Sequence, residues 1–313
     1  MGSRVRVPSR PLVNFKSLDI YQDFFLYQKM KAKLSLLVGI ICISIFPILI
    51  KLQLNTGLIS AFYRMFFSVI IIIPIAILLK KIKTKSLTLL SLACLCGVLF
   101  ASDVAVWNIA IQESSATQAS LLTNISPIWV GLISMFILKQ KLNNTFWIGC
   151  GVALLGMICY IGFDVVLKMQ INRALVFGIL SGVFYSCYIL VSKYVLKKMV
   201  IVEFMLYMLL SASIFLAIIN FICGEAFYGF SNLAWLNLIT QALLCQLLAW
   251  GLLSYATTKL EVTKISLTLL SQAFLAGILS WYFLDENITL QMIIGGILII
   301  IGIGITYIKK ERS

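Results

Sequence analysis

The sequence predicts an all-α polytopic membrane protein, with ten transmembrane helices built as two inverted five-helix repeats. Three observations carry this expectation. The 313 residues are 61% hydrophobic and only 12% charged, more apolar surface than a soluble fold of this length can hide. The apolar residues fall into ten stretches of about 20 residues, the length that crosses a bilayer. The second five stretches repeat the first at a shift of 146 residues, which lays Ala110 on Ala256, Ser120 on Ser266, Leu138 on Leu284, Gly149 on Gly295 and Gly156 on Gly302.

Residues 1–33 form an expected cytoplasmic N-terminal segment. Three of the six arginines (Arg4, Arg6, Arg10) and two of the five prolines (Pro8, Pro11) crowd its first eleven positions, whereas lysine dominates elsewhere. No apolar run accompanies those arginines, so the pattern is not that of a signal peptide. Met30-Lys31-Ala32-Lys33, just before an apolar stretch, offers a second reading in which translation starts at Met30. The expected spans are 34–50, 57–79, 87–109, 115–138, 145–163, 174–192, 201–222, 234–256, 262–284 and 288–308. The first repeat then covers 34–163, the second 174–308, and 309–313 form a cytoplasmic tail.

Each half holds an odd number of spans, so the halves must insert in opposite senses. Many secondary carriers are built this way, with the substrate site between the halves near the midplane. An N-terminus inside puts every basic residue except Lys51, Arg64, Lys168 and Arg173 on that side, as the positive-inside rule requires. The net charge of +14 is therefore orientation chemistry, and no nucleic-acid partner is expected. Both termini are expected in the cytoplasm, and the expected location is a bacterial cytoplasmic (inner) membrane.

Histidine is absent, which removes histidine-dependent triads and most zinc or haem sites. The eight cysteines sit in or at the ends of apolar spans without metal or thioredoxin spacing, as structural thiols do. No catalytic residue, metal or cofactor is expected, and the chain is not expected to be an enzyme. No GxxxxGK[ST] phosphate loop occurs, so transport would run on gradients or exchange.

The segment 97–130 carries the densest chemistry. Asp103 lies inside the third span, where a carboxylate is expensive unless it meets a partner or a watery cavity. Trp107 follows one turn along. After the Gln112–Ser115 corner, Thr117, Ser120, Asn124 and Pro127 share one face of the fourth span. Arg64, in the oppositely directed second span, can sit at a depth similar to that of Asp103. Two readings stand side by side: a buried ion pair that locks the two spans, or a switchable pair at which solute or proton competes for Asp103. Tyr185 and Tyr188 share a stripe with Ser181 and Ser192; Gln246, Trp250 and Ser254 repeat every four residues, as do Thr268 and Gln272. The expected cavity residues are Arg64, Asp103, Trp107, Asn124, Tyr185, Tyr188, Gln246, Trp250 and Gln272. Gly178 and Gly182 form a GxxxG and, with Gly149, Gly156, Gly295 and Gly302, read as close-packing positions. Pro47, Pro74 and Pro127 interrupt helical hydrogen bonding as kinks or hinges.

The paired segments ASLLTNISPIWVGLISMFILKQKLNNTFWIGCGVALLG (119–156) and ISLTLLSQAFLAGILSWYFLDENITLQMIIGGILIIIG (265–302) resemble the two EamA domains of the drug/metabolite transporter superfamily. The resemblance runs from about Leu34 to Ile308. It implies ten helices as two inverted repeats around a central cavity, and carriage of small metabolites without ATP. Two positions depart from the family pattern. Lys139-Gln140 stand where the fourth helix usually closes on Gly-Glu, and Ala273 stands where a proline follows the ninth-helix glutamine.

The function expected is secondary transport or exchange of a small organic metabolite by alternating access. An amino acid or related compound, and export, are what the resemblance implies. Uptake of S-adenosylmethionine or a nucleotide-like metabolite is the alternative within transport, and a non-transporting membrane scaffold the alternative outside it. The expected partners are a small-molecule substrate, the lipid bilayer and a coupling proton or counter-substrate, with the chain a monomer or homodimer.

Overall fold

The structure, a computed structural model, describes residues 15–113, 122–167, 172–285 and 287–308, with side chains in the first range placed for 27–110. The Ser114–Ser115 end of the corner, Thr117, Ser120, Lys168, Glu286 and the terminal segments 1–14 and 309–313 lie outside the described residues. The helices are α1 (Phe15–Ser44), α2 (Phe46–Lys51), α3 (Gly57–Leu78), α4 (Leu87–Glu113), α5 (Ser126–Phe136), α6 (Asn144–Ile161), α7 (Phe163–Leu167), α8 (Arg173–Leu196), α9 (Ile201–Ile222), α10 (Asn232–Thr240), α11 (Ala249–Lys259), α12 (Val262–Thr268), α13 (Ser271–Leu284) and α14 (Leu290–Tyr307). Among the described residues nine spans are long and apolar enough to cross a membrane, and α5 is a shorter apolar helix. The expected fourth span (115–138) falls partly outside the description. Span one is α1–α2, two α3, three α4, four α5 with Leu122–Ile125, five α6, six α8, seven α9, eight α10–α11, nine α12–α13 and ten α14. Span one begins within a longer helix, since α1 starts at Phe15, inside the segment expected to precede the bundle.

Local chemistry sets many boundaries. Thr56, Asn172, Ser231 and Thr289 accept a backbone N–H three residues on and so start α3, α8, α10 and α14, each satisfying one of the donors a helix start leaves open. The ends of span seven are tied to the span-two region. Thr56 donates to Glu225 at 2.8 Å, and the buried Glu203 accepts from Lys83 N, Thr84 N and Thr84 Oγ1 at 3.1, 2.8 and 2.9 Å. The sequence reading gave Glu203 no role.

The repeat is a real two-fold relation in the packing. Shifted by 146, α6 (144–161) becomes α14 (290–307). These two helices cross antiparallel, Gly149 facing Gly302 and Gly156 facing Gly295. The first contact maps onto the second when the halves are exchanged, as a two-fold axis demands. A methyl group on any of the four would strike backbone of the facing helix, so the repeated glycines serve close approach. Three further sets of pairs obey the same exchange. Span one packs on eight as six packs on three, one on nine as six on four, and two on eight as seven on three. The halves therefore insert in opposite senses.

Two spans are broken at places that differ by one residue in the repeat. Span four turns at Asn124–Ile125 and span nine at Leu269–Leu270, with hydrogen bonds of the three-residue type across each: Ile125 N to Leu122 O at 3.3 Å and Leu270 N to Leu267 O at 3.1 Å. Pro127 follows the first break, whereas the second persists with Ala273 in that position. Serines from neighbouring spans answer equivalent carbonyls beside the breaks, Ser186 donating to Ser126 O at 3.1 Å and Ser44 to Gln272 O at 3.3 Å. Span one also breaks, at Ile45 before Pro47. Span eight relaxes into a π-helical segment at Gln241–Leu248, a feature common at functional sites. Pro74 sits inside a continuous α3.

Candidate functional site

The breaks meet at a cavity of about 240 Å³ lined by spans one to four, six, eight and nine. Of the residues expected there, Arg64, Asp103, Trp107, Asn124, Tyr185, Trp250 and Gln272 line it. Tyr188 and Gln246 do not. Tyr188 is 2% exposed and packs behind the wall, its ring 5.0 Å from Phe100 and 5.7 Å from Trp250. It shares a helical stripe with Tyr185, but that stripe is wide enough for one ring to face the cavity and the next to face the core. Gln246 is fully buried one turn before Trp250, and neither amide atom has a hydrogen-bond partner among the described residues. The sequence reading missed Phe46, Phe100, Thr123, Ser126 and Ser266 as lining residues. Of these, Thr123 and Ser126 flank Asn124 at a break that Pro127 signals.

Arg64 and Asp103 face the same cavity from adjacent spans without pairing. The Arg64 guanidinium carbon lies 4.4 Å from the centroid of the Phe46 ring, a cation–π arrangement. Asp103 instead accepts a hydrogen bond of 2.5 Å from Ser181 Oγ. The locking ion pair considered from the sequence is thus not formed. The ring of Phe46 and the hydroxyl of Ser181, both distant in sequence, hold the two charges separately. A buried pair would have to recover its desolvation through mutual contact. Here each charge has a different support, and both remain available to what enters the cavity.

The other polar groups divide by chemistry. Arg64 Nε, Tyr185 OH and Trp250 Nε1 are buried donors that no group among the described residues answers. Leaving such groups unanswered costs on the order of 1–3 kcal/mol each. Asp103 is the charged acceptor, beside the amides of Asn124 and Gln272 on the lining. The walls between are aromatic: Phe100 and Trp250 meet edge to face at 4.6 Å, with Trp107 and Phe46 also on the lining. A cavity with a cation and further donors, an opposed carboxylate and an apolar wall can bind a small solute of mixed charge. Among the described residues no group of three or more metal-type ligands occurs.

A multi-pass helical bundle with inverted halves and spans interrupted around a polar cavity has the build of a membrane carrier. The sequence matches the EamA-like transporter family over residues 30–162 and again over 172–308, and the chain belongs to that family. It is similar to the uncharacterized transporter YdfC of Bacillus subtilis (strain 168), 25% identical over 207 residues, which cover 66% of this chain and 67% of that protein. A protein of known crystal structure superposes with a TM-score of 0.73 over 89% of this chain and 98% of its own, at 14% identity. That likeness concerns the fold alone.

Proposed function

We propose that this transporter is a secondary carrier or exchanger of a small zwitterionic metabolite, an amino acid or a close relative, working by alternating access between its halves. The observation that supports it most is the unpaired presence of Arg64 and Asp103 around one cavity. Arg64, with Tyr185 and Trp250, suits a carboxylate; Asp103 suits an amine; Phe100, Trp107 and Trp250 suit an apolar side chain. The volume of about 240 Å³ is below the roughly 300–1,000 Å³ of drug-sized pockets, which favours an amino acid over a nucleotide or S-adenosylmethionine. Spans five, seven and ten contribute no lining residue and serve as frame. Export is the proposed direction, from the family resemblance.

The proposed orientation has both termini in the cytoplasm of a bacterium. Its support is the gathering of lysines at one end of the bundle. There Lys193 donates to the carbonyls of Thr257 and, at 2.7 Å, Leu260, while Lys33 and Lys264 both approach the ring of Tyr307.

Solute counterflow in proteoliposomes tests the carrier reading, with amino acids, S-adenosylmethionine, nucleotides and sugar phosphates as the panel. The expected result is saturable exchange of one or more amino acids. Exchange confined to nucleotides or sugar phosphates would overturn the zwitterion assignment, and folded protein without flux across the panel would favour a non-transporting scaffold.

A further inference from the structure

Asp103 reaches beyond the cavity through two hydroxyls. Ser181, fully buried on α8, donates to Asp103 Oδ1 at 2.5 Å, and its oxygen lies 2.8 Å from Thr123 Oγ1. A serine hydroxyl has a single proton to donate. Ser181 directs it to the carboxylate, so Thr123 is the donor in the second bond and the chain runs Thr123 to Ser181 to Asp103. Thr123 is the last helical residue before the Asn124–Ile125 turn. Span six meets this break at close range, because a Cβ on Gly182 would stand 3.3 Å from Thr123 O. Three spans are thus joined from the charged wall of the cavity to the interruption of span four. The other half has no counterpart, since Ala249 stands at the position equivalent to Asp103 and Leu269 at that of Thr123.

We propose that Asp103, Ser181 and Thr123 are the coupling element of the carrier. An ionised carboxylate polarises the Ser181 hydroxyl and strengthens the bond it accepts from Thr123. A solute amine that engages Asp103 draws charge away from Ser181, which loosens Thr123 and frees the Asn124–Ile125 turn to open. Ser181 is a positioning residue: it fixes the acid and relays its occupancy without touching solute. The proposal rests on the reading of the cavity as the solute site, but its test does not require flux.

Hydrogen exchange by mass spectrometry, on protein in lipid nanodiscs, would be followed in peptides spanning residues 122–126. Ser181→Ala is expected to speed exchange there about tenfold and Asp103→Asn about threefold. The double variant should match Ser181→Ala alone, because the acid acts through the serine. Ser181→Thr keeps the hydroxyl and should restore the parental rate, while peptides of α6 and α14 stay unchanged in every variant. Parental exchange at 122–126 in Asp103→Asn, or additive effects in the double variant, would overturn the coupling. A parent without counterflow would count against the carrier reading, and the exchange rates would still decide the coupling by themselves.

Discussion

The helix pairs α1/α11 and α8/α4 occupy equivalent places in the two halves, yet they are filled in opposite ways. On one side Gly39 lies against the carbonyl of Ala249, and Ser35 donates to Leu252 O at 2.8 Å. Exchange of the halves turns Gly39 into Tyr185, Ala249 into Asp103 and Ser35 into Ser181. There the same serine position bonds a carboxylate instead of backbone, and the tyrosine lines a cavity. The backbones differ in the reverse sense: the small-residue pair is interrupted at Ile45 and at the π-helical Gln241–Leu248, whereas α4 and α8 run continuously. Duplication supplied one scaffold. The side chains made one junction a seal and the other a site.

Replacing Ala249 by Asp breaks that comparison most severely. Ala249 is fully buried and beside Gly39, so the new carboxylate has no cavity, and the equivalent serine, Ser35, is already committed to Leu252 O. A loss of about 3–5 kcal/mol is expected, seen as a collapse of thermal stability in detergent; a parental unfolding temperature would mean that the two junctions are interchangeable after all. At the other junction, Asp103→Asn should leave stability near parental and lower counterflow efficiency by about 10–100-fold, the weight of a hydrogen bond to a charged group. Efficiency within twofold of the parent would remove Asp103 from the site.

The frame is expected to answer to volume instead of charge. Gly156→Ala pushes a methyl onto Gly295 O and Ile299 N, an overpacking cost of about 1–3 kcal/mol. Gly151→Ala, on the same helix with nothing within 4 Å of its Cβ, should gain up to about 1 kcal/mol from helix propensity. Thermal unfolding of the two variants side by side separates these signs. The smallest effect is at the ends of spans four and nine. Lys139 and Asp285, equivalent in the repeat, both adopt left-handed backbone with φ of 51° and 52°. Lys139→Gly should stabilise by about 1 kcal/mol, and Asp285→Gly by less, since aspartate tolerates this region better.

The sequence announces whatever is repeated or periodic. Span positions follow from hydropathy, and close packing at Gly149, Gly156, Gly295 and Gly302 was legible in their recurrence at a fixed shift, although that α6 and α14 pack on each other was not. Arg64 and Asp103 were also legible as cavity residues, because charge inside a span has few places to go. Their partners were not. Phe46 and Ser181 reach them across the bundle, and sequence spacing carries no information on which way a side chain from another span points. The break in span nine was hidden for a related reason. No proline marks it, and its equivalent carbonyl is satisfied by Ser44 from span one, a tertiary contact. Tyr188 and Gln246 show the limit of a polar stripe: periodicity places a residue on the inner face of a helix but does not say whether cavity or core lies opposite.

The most direct measurement of the central claim is competition in counterflow, with an amino acid that the parent exchanges set against its N-acetyl derivative and its methyl ester. If Asp103 holds the amine and Arg64 the carboxylate, the free amino acid competes and both blocked compounds fail. Asp103→Asn should then lose the discrimination against the N-acetyl compound, and Arg64→Gln that against the ester. Equal competition by all three compounds in the parent would contradict the account, because it would mean that the charged junction does not read the solute.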